Sequence, residues 1–352
     1  MKKPQRIIAL LTAVVMVFAL SACGNQSAEE SLTNTEGSTM IGEYGEKIRV
    51  ACSNGAPGFA MLKLIHDRSY ACELNFYNSQ DEIADLMKTG GADVAAVHID
   101  TAVRLYNETK GAVKVIAVNN LGTLYYVTRD SGVENFEDVR DKTVSFAEKG
   151  SVYDAVFRAL MKKYDIDPDE MDIRYEKSFS ELTDKFGKGG EIINAIIPEP
   201  NLSVIAAKEK AETASASQAT ASSADPEKVF ARADITAKWE QKFGTKLTQY
   251  CIIARSDFIE KNPEKIKEFL IFNEVATNYM LTSTAAPLLA VKAGYIDSED
   301  VAAFALKRIH LEFLEGEEMK EAVSSTVAIL YEQAPELFGG AVPADDFYYS
   351  AS

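Results

Sequence analysis

Residues 50–64 read VACSNGAPGFAMLKL, and this stretch decides the fold class. Ile48 to Cys52 is an apolar, strand-like run that breaks at Ser53-Asn54-Gly55-Ala56-Pro57-Gly58, after which Phe59, Leu62, Leu64 and Ile65 fall on one side of a helical pattern. Strand, glycine-bearing turn and helix start follow one another directly. The unit repeats downstream. Leu74 to Tyr77 reads as a strand, and Ser79-Gln80-Asp81-Glu82 is a capping box that opens a helix carrying Ile83, Leu86 and Met87, closed by Gly90-Gly91. Asp93 to Val97 is a third strand, His98-Ile99-Asp100-Thr101 a turn with Asp100 as N-cap, Ala102 to Thr109 a helix, and Val113 to Val118 a fourth strand. This alternation predicts an α/β fold with right-handed crossovers and a largely parallel sheet. Such sheets bind ligands outside the carboxyl ends of their strands, so loops 53–58, 78–80 and 98–101 are expected to converge on one edge.

The pattern then restarts. Thr123 to Thr128 and Thr143 to Ala147 read as strands, joined through Phe136 to Asp141, and Ser151 caps a helix carrying Val152, Ala155, Val156, Ala159 and Leu160. Asp172 to Tyr175, a helix from Glu181 to Phe186, and Ile192 to Ile197 complete a second set, ending in Pro198-Glu199-Pro200. Residues 211–224, AETASASQATASSA, are expected to form a mobile surface loop. Trp239 to Phe243 restores order, Thr248 to Ala254 is another strand, and from Asn262-Pro263 onward the pattern is helical. This all-helical last third is expected to cover the first lobe.

Before the first strand the chain has a different character. Lys2, Lys3 and Arg6 precede an apolar run from Ile7 to Leu20 that ends in Leu20-Ser21-Ala22-Cys23. A spanning helix needs about 20 apolar residues, and this run is shorter. It reads as a secretory signal over residues 1–22 with a lipoprotein cleavage box, making Cys23 the lipidated residue. The polar, aperiodic stretch 23–45 reads as a flexible tether.

Net charge is −16, which repels phosphate backbones and argues against nucleic-acid binding. Beyond Cys23 the cysteines are Cys52, Cys72 and Cys251; a Cys52–Cys72 disulfide requires neighbouring strands, and otherwise all are free buried thiols. His66, His98 and His310 are scattered, and neither they nor the cysteines have metal-site spacing, so no metal or cofactor is implied.

A lipoprotein signal, two successive α/β lobes and a helical tail resemble the extracellular solute-binding proteins of ABC importers. The closer resemblance is to the nitrate/sulfonate/taurine-type binders, which share a fold with the thiamine-pyrimidine-precursor binders. It spans about residues 46–350, and rests on VACSNGAPGFAMLKL (50–64), DEIADLMKTGGADVAAV (81–97), LYNETKGAVKVIAVNNLGTLYYV (105–127), DKTVSFAEKGSVYDAVFRALM (141–161), IIPEP (196–200), EGEEMK (315–320) and VPADDFYY (342–349). The resemblance implies a type II periplasmic-binding fold, with lobe one over 46–121 plus 252–350 and lobe two over 122–251. Two crossover strands, Asn119 to Tyr125 and Gln249 to Ile253, would act as the hinge. It further implies a monomer outside the cytoplasm, anchored by lipid to the bacterial cell membrane, that hands a small organic solute to a permease and its ATPase without making or breaking bonds. Two other roles fit the same features: a transport-inactive sensor or adhesin, and an enzyme like the thiamine-pyrimidine synthases. The latter rely on a cysteine-rich motif that this chain lacks.

By the same resemblance the ligand-binding residues are Asn54, Gly55, Ala56, Pro57, Asn78, Ser79, His98, Asp100 and Thr101 from lobe one. Lys149, Gly150, Ser151, Tyr153 and Glu199 come from lobe two, and Asn120, Gly122 and Tyr250 from the crossovers. Gly55 and Gly150 either let backbone N–H groups approach a ligand or serve turn geometry alone. Asp100 is a ligand contact or a helix cap, and Glu199 points into the cleft or caps the following helix. Relatives of this type carry Gly-Pro-Thr-Gly where this chain has Gly55-Ala56-Pro57-Gly58, and Pro-Thr-Asn where it has His98-Ile99-Asp100. The identity of the solute therefore does not transfer. His98, Asp100 and Glu199 suit an amine-bearing or heterocyclic compound, whereas a sulfonate would need the one well-placed cation, Lys149.

Overall fold

The computed structural model describes residues 47–66, 72–130, 136–216 and 231–350. The signal and tether, with Cys23, lie outside the described residues.

Two sheets organise the chain. The first four strands are β1 (Ile48–Ser53), β2 (Cys72–Tyr77), β3 (Val94–His98) and β4 (Val113–Asn120), connected by helices α1 (Ala56–His66), α2 (Gln80–Thr89) and α3 (Ile99–Thr109). With β10 (Tyr250–Arg255) and β11 (Leu311–Leu314) they form one sheet in the order β11-β4-β10-β3-β1-β2. β1 pairs parallel with both β2 and β3, whereas β10 enters between β3 and β4 antiparallel to both. β1 is buried along almost its whole length, as a strand covered on both faces must be, while edge strand β2 alternates half-buried and exposed positions.

The second sheet takes β5 (Leu124–Thr128), β6 (Val144–Ala147), β7 (Ile173–Glu176), β8 (Asn194–Pro198) and β9 (Ala231–Asp234) in the order β7-β6-β8-β5-β9. Around it lie α4 (Val152–Lys163), α5 (Phe179–Lys188), α6 (Asn201–Ala216) and α7 (Ile235–Phe243), and Phe136–Asp141 is a 3-10 turn. The remaining helices are α8 (Ser256–Lys261), α9 (Pro263–Thr282), α10 (Ala286–Lys292), α11 (Glu299–Leu306) and α12 (Gly316–Tyr331). Among the described residues no helix is long and apolar enough to cross a membrane.

Local sequence explains the helix ends. Ser79 caps α2 by accepting from the Glu82 N–H at 3.2 Å, and Gly90 closes it in the left-handed conformation. Ser151 caps α4 in the same way through the Asp154 N–H.

Four expectations are corrected. Asp100 is not the N-cap of α3: His98 holds that position and Asp100 lies in the first turn. β3 runs straight into the helix, and the His98 and Ile99 N–H groups are satisfied by Gln80 Oε1 at 3.1 Å and Gln249 O at 3.0 Å. The Ala/Ser-rich run is not wholly a loop, since α6 continues to Ala216; alanine has the highest helix propensity and neither Gly nor Pro interrupts the helix. The rest of that run, 217–224, lies outside the described residues. The last third is not all helical, because Leu311–Leu314 adds a strand to the edge of the first sheet. Nor does it cover that sheet alone: α9 and α10 pack on α1 and α12 on β4 and α3, but α11 also packs on α6 and α12 on α4.

Candidate functional site

β1, β2 and β3 run parallel, so their carboxyl ends share an edge, and side chains tie the three loops together there. The Asn54 N–H donates to Tyr77 O at 2.9 Å, and Asn54 Nδ2 donates to Asn78 Oδ1 at 2.7 Å. Gln80 joins the outer loops: its Nε2 donates to Ser53 Oγ at 2.8 Å while its Oε1 accepts the His98 N–H. The capping box placed Gln80 at the helix start, but its role in the loop cluster depends on which strands become neighbours, and the local pattern carries no signal for that.

Ala56 and Pro57 are buried in the first turn of α1 and Thr101 in that of α3. Gly55 has φ +102°, where only glycine is unstrained. Its N–H donates to the Tyr295 hydroxyl at 2.8 Å, and that hydroxyl donates back to Gly55 O at 2.5 Å. Tyr295 comes from the helical tail, so sequence proximity could not associate it with this loop.

The first turn of α4 is similarly occupied. Gly150, at φ +77°, donates its N–H to Asp154 Oδ2 at 2.9 Å. Asp154 is buried, and its Oδ1 also accepts from Arg158 Nε at 3.1 Å and from the Tyr175 hydroxyl at 2.8 Å. Lys149 is exposed, its ammonium 5.5 Å from the centre of the Tyr175 ring. Both glycines hold a positive φ, and both N–H groups have acceptors within the protein.

Three nominated residues meet across the two sheets. His98 ends β3, Tyr250 opens β10, and Tyr153 lies in the first turn of α4. The two hydroxyls are 2.5 Å apart, and the His98 ring lies edge-on to both phenols, with centroids 5.2 Å from Tyr153 and 4.9 Å from Tyr250. Burial lowers the His98 pKa to about 4, so the imidazole is neutral at pH 7. Burial also raises Tyr250 to about 12, and it raises Tyr153 well above the phenol range. Asp100 is raised to about 6 by burial, partly opposed by the N–H groups at the start of α3 and by Arg104. One of its oxygens, Oδ1, is buried without a hydrogen-bond partner among the described residues.

Other nominated residues are engaged elsewhere. Asn120 is fully buried and its Nδ2 donates to Ile309 O. Gly122 packs so closely that a Cβ there would lie 2.2 Å from Thr236 Oγ1. Glu199 takes the capping role: Oε2 accepts the Ser203 N–H of α6 at 3.1 Å, and Oε1 lies 3.6 Å from the buried Arg308 guanidinium. The two segments that link the sheets are bonded side by side. The Gln249 N–H donates to Leu121 O at 2.7 Å, and Gln249 Oε1 accepts the Thr123 N–H at 2.8 Å. Behind them the 308–312 segment reaches the second sheet's elements, with His310 Nε2 2.8 Å from Asp234 Oδ2 and Lys246 paired with Glu312.

A surface cavity of about 600 Å³, lined in part by Gly90, Val113 and Arg255, lies at the other end of the first sheet, away from the aromatic cluster. Among the described residues no group of three His, Cys, Asp or Glu side chains could hold a metal ion. β1 and β2 are neighbours, but their register sets Cys72 opposite Ile48 and Cys52 opposite Phe76. At ~3.3 Å per residue the two thiols are about 13 Å apart along the sheet, beyond the reach of a disulfide. All three described cysteines are free.

Comparison with known proteins places this architecture. No curated protein matches the sequence. Among solved structures, the fold is similar to an ABC transporter protein from Parabacteroides distasonis (TM-score 0.71, 16% identity, covering 87% of this chain and 99% of that one). It is also similar to the periplasmic aliphatic sulphonate binding protein SsuA from Escherichia coli (0.65, 14%, 88% and 94%). A third is the ligand binding component of an ABC-type import system from Staphylococcus aureus, solved with zinc bound (0.58, 14%, 87% and 96%). At these identities the likeness is one of fold, and the fold is the α/β, type II periplasmic-binding architecture. Residues 71–285 match the model of the NMT1/THI5-like family, well over half of the chain, and the chain belongs to that family.

Proposed function

We propose that the protein is an extracytoplasmic solute receptor, tethered through lipidated Cys23, that captures a small organic solute between two hinged lobes and delivers it to an ABC permease. The observation that carries this reading is the meeting of His98, Tyr153 and Tyr250, three residues brought from both sheets to one point. A solute held at such a point contacts both lobes only when they are closed, and so shifts the open–closed equilibrium by its differential affinity. Segments 121–123 and 249, bonded side by side, are the pivot in this reading. Acyl chains on Cys23 would keep the receptor at the membrane surface, at ~0.8 kcal/mol per buried methylene.

Binding without chemistry suits the side chains present. Burial pushes the Cys52 and Cys251 thiols far above their ordinary range and Cys72 up to about 11, so none is a thiolate nucleophile at neutral pH. The test is thermal unfolding of the purified full chain against a broad collection of small solutes. A solute at ~100 times its Kd adds about 2.7 kcal/mol. Protein that is folded, free of co-purified solute by mass spectrometry, and unshifted by every compound would refute the reading.

A further inference from the structure

We propose that Tyr153 and Tyr250, with His98 beside them, form a latch that draws the two lobes together without a solute, and that the cleft admits a solute only when the two hydroxyls part. The proposal rests on the two-lobed receptor reading above and adds a conformational control to it.

Each half of the latch is held in place by its own lobe. Tyr250 and His98 are direct partners in the β10–β3 ladder, so their rings leave the first sheet on the same face, with centroids 4.9 Å apart. Their backbones are pinned as well: the His98 N–H donates to Gln80 Oε1 at 3.1 Å, and the carbonyl of Gln249, next to Tyr250, accepts the Ile99 N–H at 3.0 Å. On the other side, Tyr153 sits in the first turn of α4, whose start is fixed twice. Ser151 Oγ accepts the Asp154 N–H, and the Asp154 carboxylate accepts the Gly150 N–H. Phe179, at the start of α5, lies edge-on to the Tyr153 ring with centroids 5.2 Å apart.

The two halves meet without a gap. The phenol oxygens are 2.5 Å apart, and the Tyr153 hydroxyl is 3.4 Å from His98 Nε2. Tyr153 is 8% exposed and Tyr250 2%, so the pair is shut off from water. A solute atom bonded to both phenols would need their oxygens about 4.5–5.5 Å apart, the span of two ordinary hydrogen bonds. His98 and Phe179 pack against the Tyr153 ring and block a swing of that side chain, so the oxygens part by movement of the lobes. The latch is weak enough to reverse. One hydroxyl pair exchanged for water on opening biases the lobes toward closure by about two- to tenfold.

The experiment measures the interlobe distance by pulsed electron paramagnetic resonance, in protein shown by mass spectrometry to carry no solute. Nitroxide labels are attached at two exposed positions, Asp85→Cys on α2 and Lys188→Cys on α5, in the full chain with Cys23→Ser and Cys72→Ser; Cys52 and Cys251 are buried and stay unlabelled. The short distance of closed lobes is expected to dominate. Tyr153→Phe and Tyr250→Phe keep the rings, and each is expected to lower the ratio of short to long distances about two- to tenfold. The double variant should lose no more than either single one, because both substitutions remove the same bond. A long distance that dominates with both tyrosines present, a ratio unchanged in both single variants, or losses that add in the double variant would each overturn the latch. Such a result leaves the solute receptor to its own unfolding test, since no solute enters this measurement.

Discussion

Gly122→Ala tests whether the junction between the sheets is as tightly built as its geometry implies. Gly122 is not in the left-handed region, so alanine meets no backbone strain there, and only space opposes it. The added methyl would lie 2.2 Å from Thr236 Oγ1 and 3.2 Å from both Gln249 Oε1 and Leu247 Cδ2, against 3.4 Å for ordinary contact. Thr236 and Gln249 are both buried, so neither has room to withdraw. Relief must come from a shift of residues 121–123, and that shift stretches the Thr123 N–H to Gln249 Oε1 bond. Overpacking of this kind costs about 1–3 kcal/mol. At about 2 °C per kcal/mol for a chain of this size, the unfolding temperature is expected to fall about 2–6 °C. Thr236→Ala removes the nearest clashing atom, so in a double-mutant cycle the Gly122→Ala/Thr236→Ala protein should recover at least 1 kcal/mol relative to additivity, roughly the smaller end of couplings between contacting residues. Additive losses, or a Gly122→Ala protein that melts with the wild type, would refute the argument.

Two further outcomes follow from buried charge. Arg308→Met strands the Glu199 carboxylate in the interior, and is expected to cost about 3–5 kcal/mol in urea unfolding, most of it regained in Arg308→Met/Glu199→Gln; equal losses in both proteins would contradict a buried pair. His98 and Asp100 make opposite contributions to the pH dependence of stability. His98 titrates near 4 in the fold against an ordinary 6.5, so the unfolded chain binds the extra proton and the penalty fades as pH rises from about 4 to 6.5. Asp100 titrates near 6 against an ordinary 3.8, so the folded chain binds the extra proton and stability declines as pH rises from about 4 to 6. Asp100→Asn should therefore gain on the wild type as pH rises through that window, and His98→Asn should lose its advantage over the same range. Denaturant midpoints that run parallel to the wild type between pH 4 and 7 would count against both assignments.

The frame of the molecule was legible because it is written locally. The run IRVAC, the Ser79 and Ser151 caps and the Gly90 stop are each complete within a few residues, and each element they predicted exists in the fold. The site was legible only in part. His98, Tyr153 and Tyr250 come together, since position after a strand or at a helix start is itself a local property. What filled the loops was not legible: Tyr295 reaches Gly55 from 240 positions away, and Arg308 reaches Ser203 from 105. Such partners depend on which helix covers which loop, a matter of packing with no trace in periodicity. β11 was missed for a related reason, because four residues between two helices are too few to display a period of two.

Gln80 limits what substitution can do at the rim of the first sheet. Its amide gives to Ser53 from one end and receives from His98 at the other, 2.8 and 3.1 Å away. A carboxylate at this place could only receive, an ammonium only give, and asparagine would fall one methylene short. Glutamine supplies a donor and an acceptor on one planar group with the reach to span both loops, so a charged or shorter side chain at residue 80 is expected to break one of the two bonds and loosen the tie between the ends of β1 and β3.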